Sequence, residues 1–173
     1  MINGDPLRRS YVPIIRADLV RLLKLARDDR EAFFAKHQDW ASLYEGRLLG
    51  TALCQGAAMH YMNPSVGIND FDVYTFYAAH PGRPWYAKRI KSVDYGDAKF
   101  GQSEISNLRY IGRRVDLLSR ALDVAPGADI IDSITTYLRS GRTETSRHLA
   151  KKAVVLLEPT DRLGGIVWPL PAT

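Results

Sequence analysis

The stretch "QGAAMHYMNPSVGINDFDVY", residues 55–74, decides how the chain folds. It opens on a small-residue turn, passes Asn63-Pro64 and a loop through Gly67, and enters an apolar run, Ile68–Tyr77, that carries Asp70 and Asp72. Alternate residues of a strand share one face, so the two aspartates point the same way. Carboxylates side by side repel each other, and desolvation penalises both. A divalent cation between them would resolve that conflict, provided the rest of the chain completes a site for it.

Working outward, "GRLLGTALCQG" (46–56) reads as a short buried strand ending at Gly56, and "AAMHYMN" (57–63) begins a helix broken by Asn63-Pro64. "DFDVYTFYA" (70–78) has the aromatic and β-branched enrichment of a strand. A third aspartate, Asp116, lies in "LRYIGRRVDLLSRAL" (108–122), which reads as a strand centred on Val115. If that strand neighbours the one carrying Asp70 and Asp72, three carboxylates share one sheet face; the alternative for Asp116 is an ion pair with Arg113 or Arg114. Hard oxygen donors of this kind suit Mg²⁺ and leave positions for water and substrate phosphates. Two such ions can activate an attacking hydroxyl and stabilise a leaving pyrophosphate.

The order of these elements is Gly56-Ala57, a spacer, Asp70-Phe71-Asp72-Val73, and then Val115-Asp116-Leu117. It resembles the pattern of the nucleotidyltransferase superfamily typified by DNA polymerase beta. The resemblance covers about residues 47–118. It implies that Gln55, Gly56 and Ala57 form a phosphate-binding turn whose backbone N–H groups meet a nucleoside triphosphate at a helix N-terminus. It further implies that Asp70 and Asp72 bind two Mg²⁺ or Mn²⁺ ions, and that Asp116 binds the catalytic one and helps deprotonate the acceptor. The family commonly carries Gly or Ser where this chain has Ala57, so a hydroxyl contact to phosphate is missing while the backbone donors remain.

Before the core, "IIRADLVRLLKLARDDREAFFAKH" (14–37) has helical spacing of its apolar residues, with Asp28 and Glu31 marking the start of a second short helix through Phe34. After the core, helices are expected over Asp129–Arg139 and "TETSRHLAKKA" (143–153), and strands in "AVVLLEP" (153–159) and before Pro169. Strands and helices interleave. The expectation is an α+β fold, a small mixed sheet flanked by helices, in a single domain over 1–173: N-terminal helices 14–44, core 47–118, and a helical and strand part 119–173.

Residues 79–106 show no periodicity and read as a long connection. Between Arg83 and Arg114 there are eight Lys or Arg against three acidic residues, with Trp85, Tyr86 and Tyr95 interleaved. Cationic and stacking groups together suit a nucleotide base or nucleic acid; a solvated loop with Trp85 on the core is the alternative. A net charge of +5 points the same way, to a polyanionic partner. The single Cys54 excludes an internal disulfide framework and a Cys-rich zinc module, and reads as a small buried hydrophobe. No apolar run approaches the ~20 residues of a membrane span, so no membrane partner and a cytoplasmic location are expected. His60 reads as a packed helix residue, and Lys151 and Lys152 as cations that end a helix and suit its dipole, with reach of one of them to a triphosphate as the lesser alternative.

The sequence therefore points to a metal-dependent nucleotidyltransferase acting on an NTP such as ATP, with an acceptor hydroxyl it does not identify. The alternative is a non-catalytic nucleotide- or nucleic-acid-binding module on the same fold. Oligomeric state is left open.

Overall fold

The structure, a computed structural model, describes residues 9–85, 89–102 and 109–170. Apolar residues at three- and four-residue spacing give one continuous helix, α1 (Arg16–Lys36), where two were expected. Asp28 does not cap a new helix; its carboxylate accepts from Lys24 Nζ one turn earlier at 2.7 Å, a pairing that needs unbroken helix. After α2 (Gln38–Tyr44) come β1 (Leu48–Cys54), α3 (Gln55–Met62) and β2 (Phe71–Ala78). They are followed by β3 (Ile90–Asp94), β4 (Arg114–Leu122), α4 (Ile130–Ser140), α5 (Glu144–Leu149), β5 (Val154–Glu158) and β6 (Ile166–Trp168). The strand β3 corrects the reading of 79–106 as one long connection. Its residues are mostly exposed, and an edge strand of this kind has no buried face to create a period.

The six strands form one mixed sheet in the order β3-β4-β2-β1-β5-β6. Only β2 and β4 run parallel; the remaining pairs are antiparallel. The fold is thus α+β. On one face α1 and α3 place Leu19, Leu22, Leu23, Ala57 and Ala58 against Leu53, Val73, Val115 and Leu117. On the other, Ile130, Ile134 and Leu138 of α4 with Leu149 of α5 cover Ala52, Phe76 and Leu156. Asp129 caps α4, accepting from Asp132 N at 3.0 Å, and Thr143 with Ser146 caps α5 reciprocally. Cys54 is fully buried at the end of β1, as a small hydrophobe.

Trp85 and Tyr95 are not a stacking surface. Trp85 lies in a third cluster with Phe34, Tyr44 and Tyr77, and its Nε1 donates to Ser119 Oγ at 2.9 Å. Tyr95 is buried against Phe71 and donates to Asp18 Oδ1 at 2.7 Å. Two large rings find more apolar area in the core than in a loop. Tyr86 lies outside the described residues.

Candidate active site

The parallel register of β2 and β4 sets Asp72 directly beside Asp116, and Asp70, one residue before β2, meets Arg114 through its side chain. Residues in register on neighbouring strands share a face, and so do residues two apart. Asp70, Asp72, Arg114 and Asp116 therefore form a square at the end of the sheet, on the face that α4 and α5 cover elsewhere. Asp72 and Asp116 share a sheet face, as the alternation of the two strands predicts, and Asp70 adjoins them. What the sequence left open was the fourth corner. Arg114 Nη2 donates to Asp70 Oδ2 at 2.8 Å, and its Nε lies 3.3 Å from Asp116 Oδ1. That Nε is buried and makes no aligned hydrogen bond, so its tie to Asp116 is an ion pair only. Ser92 Oγ on β3 donates to the same Asp116 oxygen at 2.6 Å. Arg113, the other candidate partner of Asp116, points the opposite way, where its Nε donates to Phe100 O at 2.9 Å.

Asp72 accepts no hydrogen bond from any described residue. Burial, reinforced by the charges of Asp70 and Asp116, pushes its carboxyl up to about 7, against the opposing pull of Arg114 and Lys152. Cys54 pairs with Asp72 in the β1–β2 ladder, and burial, with the Asp72 charge added, pushes its thiol well above the ordinary value. A thiol held protonated in this way is no nucleophile.

The phosphate-turn residues stand at a strand-to-helix junction, as expected. Gln55 N donates to Ala153 O at 3.1 Å where β1 ends, and α3 begins at once. Among the described residues Gln55 is the one non-glycine with a positive φ, 63°. A residue with a side chain is strained there. Gly56, by contrast, has no positive φ, and a Cβ built on it would meet nothing within 4 Å. Neither packing nor backbone conformation requires a glycine at 56. The open space beside it belongs to a cavity of about 390 Å³ lined by Gln55, Gly56, Ala57, Asp70, Asp72 and Lys152, with Arg9, Asn69 and His148 at its margin.

Asp116 is not among the residues lining that cavity; it sits on the far side of Asp72, under Ser92. The structure thus brings Gln55, Gly56, Ala57, Asp70 and Asp72 around one space, with Asp116 adjoining. Lys152 and His148 are there through the end of α5 and the loop into β5, and Arg9 through the N-terminal segment; Arg9 and His148 carried no signal in the sequence. His60 is packed, as read: Gly67 N donates to its Nδ1 at 3.0 Å, so Nε2 carries the proton and donates to Val12 O at 2.7 Å.

Among the described residues no group of three or more His, Cys, Asp and Glu side chains stands ready to hold a metal ion. Carboxylates are oxygen donors of the kind a hard cation takes, but here Arg114 is paired with two of the three, Asp70 and Asp116. Among the described residues no helix is long and apolar enough to cross a membrane. No family model, curated protein or solved structure matches the chain.

Proposed function

We propose that the protein is a nucleotidyltransferase of the polymerase-beta type, moving a nucleoside monophosphate from an NTP to an acceptor hydroxyl and releasing pyrophosphate. One observation carries the reading: a glycine that the fold does not need opens α3 into the cavity walled by Asp70 and Asp72. A helix start offers unpaired N–H donors and the positive end of the helix dipole, which bind phosphate. Gly56 lets a phosphate approach the backbone at the point where any side chain would stand. Lys152 adds a point charge at the same cavity.

In this reading Asp70, Asp72 and Asp116 would hold Mg²⁺ or Mn²⁺, in place of the ion pairs that Asp70 and Asp116 make with Arg114. The metal, when bound, would polarise the α-phosphate and lower the pKa of the acceptor hydroxyl. Asp116 takes the acceptor proton, and Ser92 fixes the carboxylate oxygen that it touches. The acceptor oxygen bonds to the α-phosphorus, and the bond to the bridging oxygen of the β-phosphate breaks. Arg114, released from Asp70 and Asp116, remains beside the phosphates as a bidentate donor.

The ion pairs of Arg114 favour a second reading, a module that binds nucleotide without catalysis, because two of the three carboxylates already have a cation. The deciding experiment is a thermal-shift titration with each NTP, with and without Mg²⁺ or Mn²⁺, followed by incubation of labelled NTP with cell extract. Transferase activity requires a metal-dependent shift and a labelled product. A shift indifferent to metal, with no product, selects the binding module. No shift with any NTP refutes both.

A further inference from the structure

On the opposite face of the sheet a second cleft, of about 530 Å³, runs between the end of α1, the start of α2 and β3. Alternation along β3 fixes its position. Ser92 touches Asp116 on one face, while Lys91 and Val93 point to the other, where Val93 packs against the α1 core. The cleft is therefore separated from the carboxylates by the thickness of the sheet.

Its walls combine two chemistries. Lys36, His37, Arg89 and Lys91 are basic, and Phe33, His37 and Trp40 are rings. Among the described residues the only acid lining it is Asp29, and both its oxygens are taken by Arg89, each at 2.9 Å. That half-buried pair holds the Arg89 guanidinium over the Phe33 ring, 4.2 Å from its centroid, and Phe33 in turn lies 4.6 Å from His37. At the other end Arg83 covers one face of Trp40 at 3.9 Å, with its own charge paired to Asp39 at 3.0 Å. Lys36 and Lys91 make no hydrogen bond or ion pair with any described residue. The cleft is left with two uncompensated ammonium groups beside a row of rings.

A ligand class can be chosen by what each candidate would leave unsatisfied. A lone inorganic anion would neutralise the lysines and leave the rings in water. An apolar peptide would cover the rings and trap two unpaired charges, which is costly. A strand with phosphates along one edge and flat bases along the other satisfies both. We propose that this cleft is a binding site for single-stranded nucleic acid, held by Lys36 and Lys91 at its phosphates and by His37 and Trp40 at its bases. The site is independent of the carboxylate cluster and of whatever chemistry that cluster performs.

The test uses the full chain and fluorescence anisotropy with labelled ten-residue oligo-U and oligo-dT over a series of salt concentrations. Wild-type protein binds, with log K falling as log salt rises by about 0.7 per phosphate neutralised. The double variant Lys36→Gln/Lys91→Gln, both positions exposed, binds more weakly and loses about 1.4 from that slope, two phosphates' worth. His37→Ala weakens binding by about tenfold with an unchanged slope, the signature of lost stacking. Arg139→Gln/Arg142→Gln, exposed on and just beyond α4, binds like wild type. Equal affinity for the two polymers assigns recognition to phosphate and base, and preference for oligo-U adds the 2′-hydroxyl; either supports the site. Absence of binding to both, a double variant indistinguishable from wild type, or equally tight binding of poly-glutamate overturns it.

Discussion

Replacing Asp72 with Asn measures directly what the carboxylate cluster costs the fold. An acid held at about 7 in the folded chain and near 3.8 in the unfolded one binds more protons when folded. Stability then falls as pH rises between those two values, and the full penalty applies above about 7. Fully expressed, it is about 4 kcal/mol. Water reaching the partly exposed carboxyl lowers the working figure to about 2–4 kcal/mol, which in a chain of this size corresponds to a melting temperature roughly 5–12 °C higher for Asp72→Asn at pH 8.5. Urea unfolding in EDTA, at pH 8.5 and pH 5.5, is the assay. At pH 5.5 the folded wild type keeps its proton, so the advantage of the variant shrinks by up to about 2 kcal/mol. If Asp72 were instead held in a structural ion pair, removing its charge would destabilise the protein at both pH values. A less stable variant at pH 8.5, or an advantage that does not change with pH, refutes the clustered-carboxylate account.

Arg114→Gln removes the cation from Asp70 and Asp116; the apo protein should lose stability at pH 8, and Mn²⁺ binding followed by electron paramagnetic resonance should become tighter than in wild type. Gly56→Ala places a methyl where no protein atom lies within 4 Å and improves helix propensity, so the chain should gain about 0.5–1 kcal/mol in chemical denaturation while its NTP-induced thermal shift falls. Glu158 accepts from Arg27, Arg30 and Thr51; Glu158→Gln leaves two guanidinium groups without their shared carboxylate and should cost about 3 kcal/mol at pH 7. Although burial opposes it, those contacts hold the Glu158 carboxyl below its ordinary value. Its contribution is complete above about 4.5 and is lost as pH falls further, so variant and wild type should converge in acid unfolding.

What the sequence disclosed follows from which forces leave a periodic trace. Strand β2 was legible because Phe71, Val73, Phe76 and Tyr77 are buried and their residue types say so. The positions of Asp70, Asp72 and Asp116 followed from alternation alone once β2 and β4 were neighbours. Arg114 was legible by the same rule, being two residues from Asp116, yet sequence could not choose between it and Arg113, since only the packing of Arg113 against Phe100 O decides. Strand β3 was invisible because hydrogen bonding to β4, rather than burial, creates it. Tyr95 misled for the reverse reason, and Trp85 followed the alternative reading that put it on the core: a loop rich in charge can still deliver its rings inward. Arg9 and His148 reach the cavity through tertiary folding, and no local pattern marks such residues.

The place of β1 in the middle of the sheet has a consequence during synthesis. Its partner β2 follows at once, but its other neighbour is β5, and the pair Cys54–Val154 is one hundred residues apart in the chain. At ribosomal speeds of 5–20 residues per second, roughly 5–20 seconds pass between the emergence of the two strands. For that interval one edge of β1 offers unpaired backbone groups flanked by Ala52, Leu53 and Cys54, all of which end fully buried. An open, apolar strand edge is a template for pairing with other chains. The nascent protein is therefore most exposed to misassembly just while its site is half built, with Gly56, Asp70 and Asp72 already made and Lys152 still to come.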